Sequence, residues 1–248
     1  MLPMLAFITL PLLALVMRAT GPSLLSNLAQ QVARQAIAVS LQTTLISTAI
    51  IIICGTPISL YLALVKSRTS RIIDTLVDMP TVLPPAVAGV AMLVIFGRRG
   101  LIGAMLTDMG IDIAFTQAAV VMAQVFIASP FYIKSAALGF AAVESEAQQA
   151  AALDGATGWQ IFRYVVVPLS WPALVSGALL SWARALGEFG ATIIFAGNYP
   201  GRTQTMPLAI YIGFEIDLQI ALALSVILVA FSFLILLVVK LLLQRDQP

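Results

Sequence analysis

Two short polar stretches of this chain hold the residues best suited to act on another molecule. The first is EAQQAAALDGATGWQIFRYVVVP, residues 146–168, which lies between long apolar runs. Ala150 and Ala151 keep a helix slim, Gly155 can take positive φ and end that helix, and Pro168 suits a helix start. The pattern predicts a short helix on a membrane surface, a sharp turn and a return into the bilayer. Such a segment either docks a partner from the water or is an interfacial connector without one.

The second stretch is SWARALGEFGAT, residues 181–192, which carries two ionisable side chains within an apolar region. Arg184 and Glu188 are four residues apart, so on a continuous helix they share one face. Charged groups inside a membrane are costly and are hypotheses of function by default. The pair either neutralises itself as a structural unit or lies along a translocation path near an outer gate. Gly187 and Gly190 leave room for close helix approach.

Composition excludes most other classes of function. The chain has 248 residues, of which 60% are hydrophobic and 10% charged, whereas ordinary soluble domains carry about 25% charged residues. We therefore predict an all-α integral membrane protein. The sequence has no histidine, a single cysteine and a net charge of +2, which argues against imidazole catalysis, a zinc cluster and nucleic-acid binding. It contains no GxxxxGK[ST] motif for ATP, and we expect no catalytic, cofactor or metal site in this chain.

The apolar runs predict six membrane helices in one transmembrane domain over residues 1–248. The first run is either a span or a signal peptide, and we favour a span because no Lys or Arg precedes it. Prolines 80, 84 and 85 predict a bent or broken entry to the third span, either a tolerated kink or a hinge or cavity wall. The fourth span is expected to end at Pro130 and Lys134. The spans are approximately 1–17, 41–65, 79–97, 113–133, 165–188 and 218–239, with a cytoplasmic loop at 141–164.

Six spans place both termini on one side of the cell inner (cytoplasmic) membrane. With the polar loop in the cytoplasm, seven basic residues lie inside and five outside, a mild positive-inside bias. The inner set is Lys66, Arg68, Arg71, Lys134, Arg163, Lys240 and Arg245, and the outer set is Arg18, Arg34, Arg98, Arg99 and Arg202. We predict that both termini are cytoplasmic.

The first stretch resembles a known family signature. Its spacing Q-A-A-x3-G-x9-V-x-V-P, which starts at Gln149, resembles the EAA loop of ABC importer permeases, E-A-A-x3-G-x9-I-x-L-P. The resemblance implies that the loop docks into a groove of a cytoplasmic ATPase subunit. The residues that carry this implied coupling role are Gln149, Ala150, Ala151, Gly155 and Pro168. Gln149 departs from the signature Glu and cannot form a salt bridge.

The second stretch is similar to the permeases of molybdate and tungstate importers, of which sulfate importer permeases are close relatives. The similarity rests on RALGEFGAT…FAGN and on TQTMPLAIY at residues 203–211, and it extends over nearly the whole chain from residue 40. It implies a type I importer fold, a homodimer with the pore on its two-fold axis, two ATPase subunits that bind the ATP, and an external binding protein. The implied pore or gate residues are Arg184, Gly187, Glu188, Phe189, Gly190 and Thr192.

Other functions stay open at this point. A sulfate or thiosulfate importer permease is the nearest alternative, and an ion-coupled secondary transporter would work without an ATPase and usually has a repeated half. A membrane enzyme would need a cluster of polar catalytic groups, which is not evident. Hydroxyls on one span and after the fifth could meet an oxyanion, but in membrane helices they commonly bond their own backbone. They are Thr43, Thr44, Ser47, Thr48 and Thr192.

Overall fold

A computed structural model describes residues 2–19 and 24–244, with side chains to residue 242. Every regular element within these ranges is helical, as predicted. The helices are α1 (Leu2–Ala19), α2 (Leu24–Ala29), α3 (Gln31–Leu64), α4 (Arg68–Val82), α5 (Pro85–Phe96), α6 (Gly103–Asp108), α7 (Gln117–Ala141), α8 (Ser145–Leu153), α9 (Gly158–Ile161), α10 (Val167–Leu186), α11 (Gly190–Phe195), α12 (Met206–Ile216) and α13 (Leu218–Gln244), with a π turn at Phe162–Val166.

Five helices in the described ranges are long and apolar enough to cross a membrane, and a bent pair supplies a sixth crossing if it is taken as one span. The bent pair is α4 and α5, which meet at 113°. The break falls at Leu83 and Pro84, where the prolines of the third span predict a bent or broken entry. Leu83 and Pro84 each precede a proline, and both have the extended ψ, 131° and 130°, that this position favours over helix.

One helix end differs from the prediction. The fourth membrane helix runs to Ala141 and does not end at Pro130 and Lys134. Proline removes the amide that would bond the Phe126 carbonyl, and the Ser129 hydroxyl donates to that carbonyl at 3.4 Å instead.

Most of the basic residues that were assigned to loops lie in helical segments. They are Arg18 in α1, Arg34 in α3, Arg68 and Arg71 in α4, Lys134 in α7, Arg163 in the π turn and Lys240 in α13. Arg245 lies outside the described residues.

The chain forms two compact units, and the first comprises Met1–Leu45, Pro84–Gln124 and Leu186–Leu234. Its core is built mainly from alanine and branched aliphatic side chains, among them Ala33, Ala36 and Leu224, together with Met206. The Ser40 hydroxyl accepts a hydrogen bond from the Met206 amide at 2.7 Å and so satisfies the start of α12. Small residues allow such close contact between helices.

The second unit comprises Ile46–Leu83, Val125–Ala185 and Ile235–Pro248. Its core includes Ile51, Tyr132, Phe140 and Leu174. Three serine hydroxyls join α7 to α10: Ser135 donates to the Ala173 carbonyl at 2.7 Å, Ser170 to the Gly139 carbonyl at 3.1 Å, and Ser181 to the Ala128 carbonyl at 2.9 Å.

Candidate functional site

The polar stretch after α7 folds into a short exposed helix and a tight turn. No residue of α8 is buried, and Leu153 at its end is 89% exposed. Gly155 follows with φ of 86°, the conformation predicted for it, and its amide bonds the Ala152 carbonyl at 3.0 Å. Gln149 and Ala150 are exposed, and Ala151 is half-buried. Most of the surface of α8 is therefore uncovered and available for contact with another molecule.

The next helix begins at Gly158, ahead of the position expected from Pro168. Thr157 forms a capping box: its hydroxyl accepts from the Gln160 amide at 3.4 Å, and the Gln160 side chain accepts from the Thr157 amide at 2.7 Å. These bonds satisfy two amides that a helix start leaves unpaired. From there the helical path runs continuously to Leu186.

Pro168 is the second residue of α10, near a helix start as predicted, but no break separates α10 from the helical turns before it. A π turn precedes it, in which the Val167 amide bonds the Phe162 carbonyl. An interior proline lacks an amide and its ring clashes with the carbonyl four residues earlier. The wider π turn moves that carbonyl, so the helix absorbs the proline without a break.

Aromatic side chains pack one side of α9 and the π turn against the core and leave the other side exposed. Phe162 packs against Phe140 of the second unit's core with ring centroids 6.1 Å apart, and Trp159 lies 5.6 Å from Phe162. Trp159 and Tyr164 are nevertheless 66% and 69% exposed. Exposed aromatic groups next to an uncovered helix are typical of an interaction surface.

One charged cluster in the second unit was not predicted. Lys134 of α7 lies 2.6 Å from a carboxylate oxygen of Asp74 and 2.8 Å from one of Asp78, both on α4. The sequence does contain a signal for this cluster. A lysine within an apolar run needs charged partners, and two aspartates four residues apart share a helix face. The cluster joins α4 to α7.

Glu188 lies in the break between α10 and α11, so the predicted sharing of a helix face with Arg184 is wrong. Its side chain is 1% exposed, and its Oε1 accepts a hydrogen bond from the Ala191 amide at 2.8 Å. The carboxylate thereby satisfies an amide in the first turn of α11. Arg184 lies in the last turn of α10, where a cation is favourable. A gate role for either residue stays a prediction.

Glycines bring α11 and α5 into close contact within the first unit. A Cβ added to Gly190 would stand 2.8 Å from the Cβ of Pro85, and one added to Gly89 would stand 2.9 Å from the Ala191 carbonyl oxygen. Phe189, the residue before Gly190, packs on Tyr211 with ring centroids 5.3 Å apart. The GEFG sequence, residues 187–190, therefore contributes to a packing joint, and its first residue, Gly187, is exposed.

The hydroxyls of the third helix behave largely as predicted. Thr43 and Thr44 donate to the carbonyls of Val39 and Ser40 at 2.8 and 2.7 Å, and the Gln124 amide reaches the Thr43 hydroxyl at 3.2 Å. Thr48 and Thr192 have buried hydroxyls without a hydrogen-bond partner in the part of the chain that the structure describes. These positions do not assign anion contact to any of the hydroxyls. Contact between a hydroxyl and an oxyanion therefore stays an open possibility, as it was from the sequence. In the same part of the chain, no group of three or more His, Cys, Asp or Glu side chains is placed to hold a metal ion.

Comparison with known proteins places most of the chain in one family. Residues 55–245 match the model described as "binding-protein-dependent transport system inner membrane component". The probable transport system permease protein NifC of Clostridium pasteurianum is 36% identical over 237 residues, which are 95% of this chain and 83% of that protein. The molybdenum transport system permease protein ModB of Mycobacterium tuberculosis is 39% identical over 206 residues, 83% of this chain and 78% of that protein.

A relative with a different named substrate also matches. The probable sulfate transport system permease protein cysT of Chlorokybus atmophyticus is 33% identical over 209 residues, 83% of this chain and 73% of that protein. Among solved structures, a bacterial ABC transporter involved in import of the polysaccharide alginate contains a similar chain. That chain has a TM-score of 0.68 and 17% identity, with 98% of this chain and 92% of that chain covered, so the likeness concerns the fold.

Proposed function

The chain belongs to the family of binding-protein-dependent transport system inner membrane components, and on this basis we propose that it is the permease subunit of an ATP-driven importer for molybdate and tungstate. The observation that carries the proposal is the 39% identity to a molybdenum transport permease over 83% of the chain. The chain is a multi-pass membrane protein with the fold of an ABC importer permease. Transport would proceed by alternating access.

The substrate assignment rests on which relatives have the higher sequence identity to this chain. The molybdenum permease is more similar to this chain than the sulfate permease, at 39% against 33% identity over nearly equal lengths. The resemblance of residues 181–211 points the same way. A sulfate or thiosulfate importer is the second candidate because the relatives include a sulfate permease of substantial coverage.

The exposed segment of α8, the Gly155 turn and α9 is the proposed contact with the ATPase subunit. Its outer face is uncovered, while Phe162 anchors its inner face in the core of the second unit. A force applied to α8 would therefore pass through the Gly155 turn to the helical path that runs without a break from Gly158 to the end of α10. ATP hydrolysis is assigned to that partner, and the permease has no proposed catalytic role.

The remaining partners follow from family membership. We propose that two copies of the chain form the pore, that two ATPase subunits bind beneath them, and that an external binding protein delivers the oxyanion. With α8 in the cytoplasm, both termini lie on the cytoplasmic side. The crystallised alginate transporter supports this arrangement through its similar fold.

Uptake of labelled molybdate tests the proposal most directly. Cells express this chain with its ATPase and binding protein, and unlabelled tungstate or sulfate is added in excess. We expect tungstate to block uptake, sulfate to spare it, and an ATPase-dead partner to abolish it. Equal block by sulfate would move the assignment to the sulfate group, and uptake without a working ATPase would refute the ATP-driven mechanism.

The Gly155 turn offers a test of coupling. We expect Gly155→Asp to lower uptake while ATP hydrolysis continues, because φ of 86° favours glycine over any residue with a Cβ and the turn would shift. Gly158→Ala is the control, since Gly158 is also exposed and a Cβ there meets no atom within 4 Å. Normal coupling in stably expressed Gly155→Asp would show that the turn does not transmit the movement.

A further inference from the structure

A groove in the second unit has features that neither transport nor coupling uses. It has a volume of about 590 Å³ and lies between the end of α3, the start of α4 and the last turns of α7. Its apolar lining includes Leu62, Ala63 and Leu138. Three cationic side chains, Lys66, Arg71 and Lys134, line it together with one carboxylate, Asp74.

The charges in the groove are unevenly compensated. Lys134 is held by Asp74 and by Asp78, which stands outside the lining. Lys66 and Arg71 make no ion pair with any residue in the described ranges, and both are exposed. The mouth of the groove therefore presents two cations whose charge is not cancelled by a neighbouring carboxylate. An anionic group is the complementary ligand.

The surroundings of the groove are those of a membrane interface. Leu138 is 73% exposed at its edge, and Ile72 and Leu76 project from α4 with 62% and 58% exposure. Such side chains are stable in contact with hydrocarbon, while Lys66 and Arg71 reach the polar layer. Cationic and apolar groups meet here at the ends of two membrane-spanning helices, α3 and α7.

We propose that this groove binds an anionic phospholipid of the bilayer. The headgroup phosphate lies between Lys66 and Arg71, and an acyl chain follows the apolar lining over Leu62 and Leu138. Basic pockets between membrane helices recognise anionic headgroups by this combination. The apolar lining selects a lipid over a free phosphate ion, because an inorganic anion gains nothing from hydrocarbon contact.

Retention of phosphatidylglycerol by the full chain tests the proposal. The chain, alone and assembled with its ATPase, is reconstituted with phosphatidylcholine and phosphatidylglycerol, and bound lipid is counted by native mass spectrometry. The test variant is Lys66→Gln with Arg71→Gln. The control is Arg99→Gln with Arg202→Gln, which removes two exposed charges in the first unit. Thermal unfolding of both variants checks that they are folded.

We expect the test variant to bind phosphatidylglycerol about 30-fold more weakly, from about 1 kcal/mol for each basic residue at an anionic surface, while the control is unchanged. Equal retention by the test variant would overturn the proposal. Displacement of the lipid by inorganic phosphate would also overturn it, since the site would then be one for a free anion. Loss of the lipid when the ATPase binds would show that the groove is a protein contact instead.

Discussion

The contact between α7 and α10 depends on a glycine at residue 139, and its replacement by alanine is the most informative perturbation of this fold. A Cβ built on Gly139 stands 2.5 Å from the Cβ of Ala173. Carbon atoms in contact prefer a separation of about 3.5–4.0 Å. Neither methyl group can rotate away, so the two helices must move apart by about 1 Å.

The expected cost follows from three effects. Overpacking in a tightly packed region costs about 1–3 kcal/mol. Separation also weakens the bonds from Ser170 to the Gly139 carbonyl and from Ser135 to the Ala173 carbonyl, each worth about 0.6 kcal/mol in membrane proteins. Replacing an interior helical glycine by alanine returns up to about 1 kcal/mol of helix propensity. The net loss is about 1–3 kcal/mol, or about 5- to 150-fold in the folding equilibrium.

Unfolding in a detergent titration measures this loss. All three tryptophans, Trp159, Trp171 and Trp182, lie in the helical path of α9 and α10, so their fluorescence reports separation of α10 from α7. Gly158→Ala serves as control because no atom lies within 4 Å of its added Cβ.

A compensating change sharpens the test of Gly139→Ala. Adding Ala173→Gly removes the methyl group that causes the clash, so the double variant should regain stability close to that of the unchanged chain. If Gly139→Ala is as stable as the control, or if Ala173→Gly fails to restore stability, then the contact between α7 and α10 is not as close as described.

Substitutions at three other positions have clear expected outcomes. Gln149→Glu should preserve assembly with the ATPase and uptake, since the related signature carries Glu there; loss of co-purification would show that the loop docks differently. Glu188→Gln should retain most uptake because an amide oxygen can still accept the Ala191 bond, whereas Glu188→Leu should lose it; equal uptake by both would remove the capping role. Lys134→Met should lower the unfolding free energy by about 1 kcal/mol, discounted for the half-exposed partners, and Lys134→Arg should restore it; identical detergent midpoints would contradict this.

The all-helical membrane fold could be predicted from hydropathy, because a membrane span is indicated by the length and apolar content of a segment alone. The turn at Gly155 was also predictable, since a glycine after an alanine-rich helix has a local cause. Helix ends within the membrane were harder. Pro130 and Lys134 look like a helix end in sequence, but Ser129 and the two carboxylates of α4 supply the missing bond and the missing charges. Those partners become visible only when the helices are placed together.

The continuous helical path before Pro168 and the position of Glu188 were not predicted, for a similar reason. A proline preceded by an ordinary helical turn would break the helix, and only the backbone reveals the π turn that accommodates it. Spacing of four residues implies a shared helix face only if the helix continues, and α10 ends at Leu186 before Glu188 is reached. In both cases the local backbone conformation determines which structure the residue pattern forms.

The position of Glu188 bears directly on how an anion crosses this protein. The carboxylate is 1% exposed and accepts a hydrogen bond from the amide of Ala191, so it lies inside the fold and does not project into open solvent. Its charge also acts on the start of α11, a short helix whose close contact with α5 depends on Gly190 and Gly89. Movement of α11 relative to α5 would therefore disturb a tightly packed contact. The two helices would have to switch from one discrete packing arrangement to another. The GEFG sequence, residues 187–190, contributes Gly190 to this contact and places Phe189 against Tyr211, and a gate role for its residues stays a prediction.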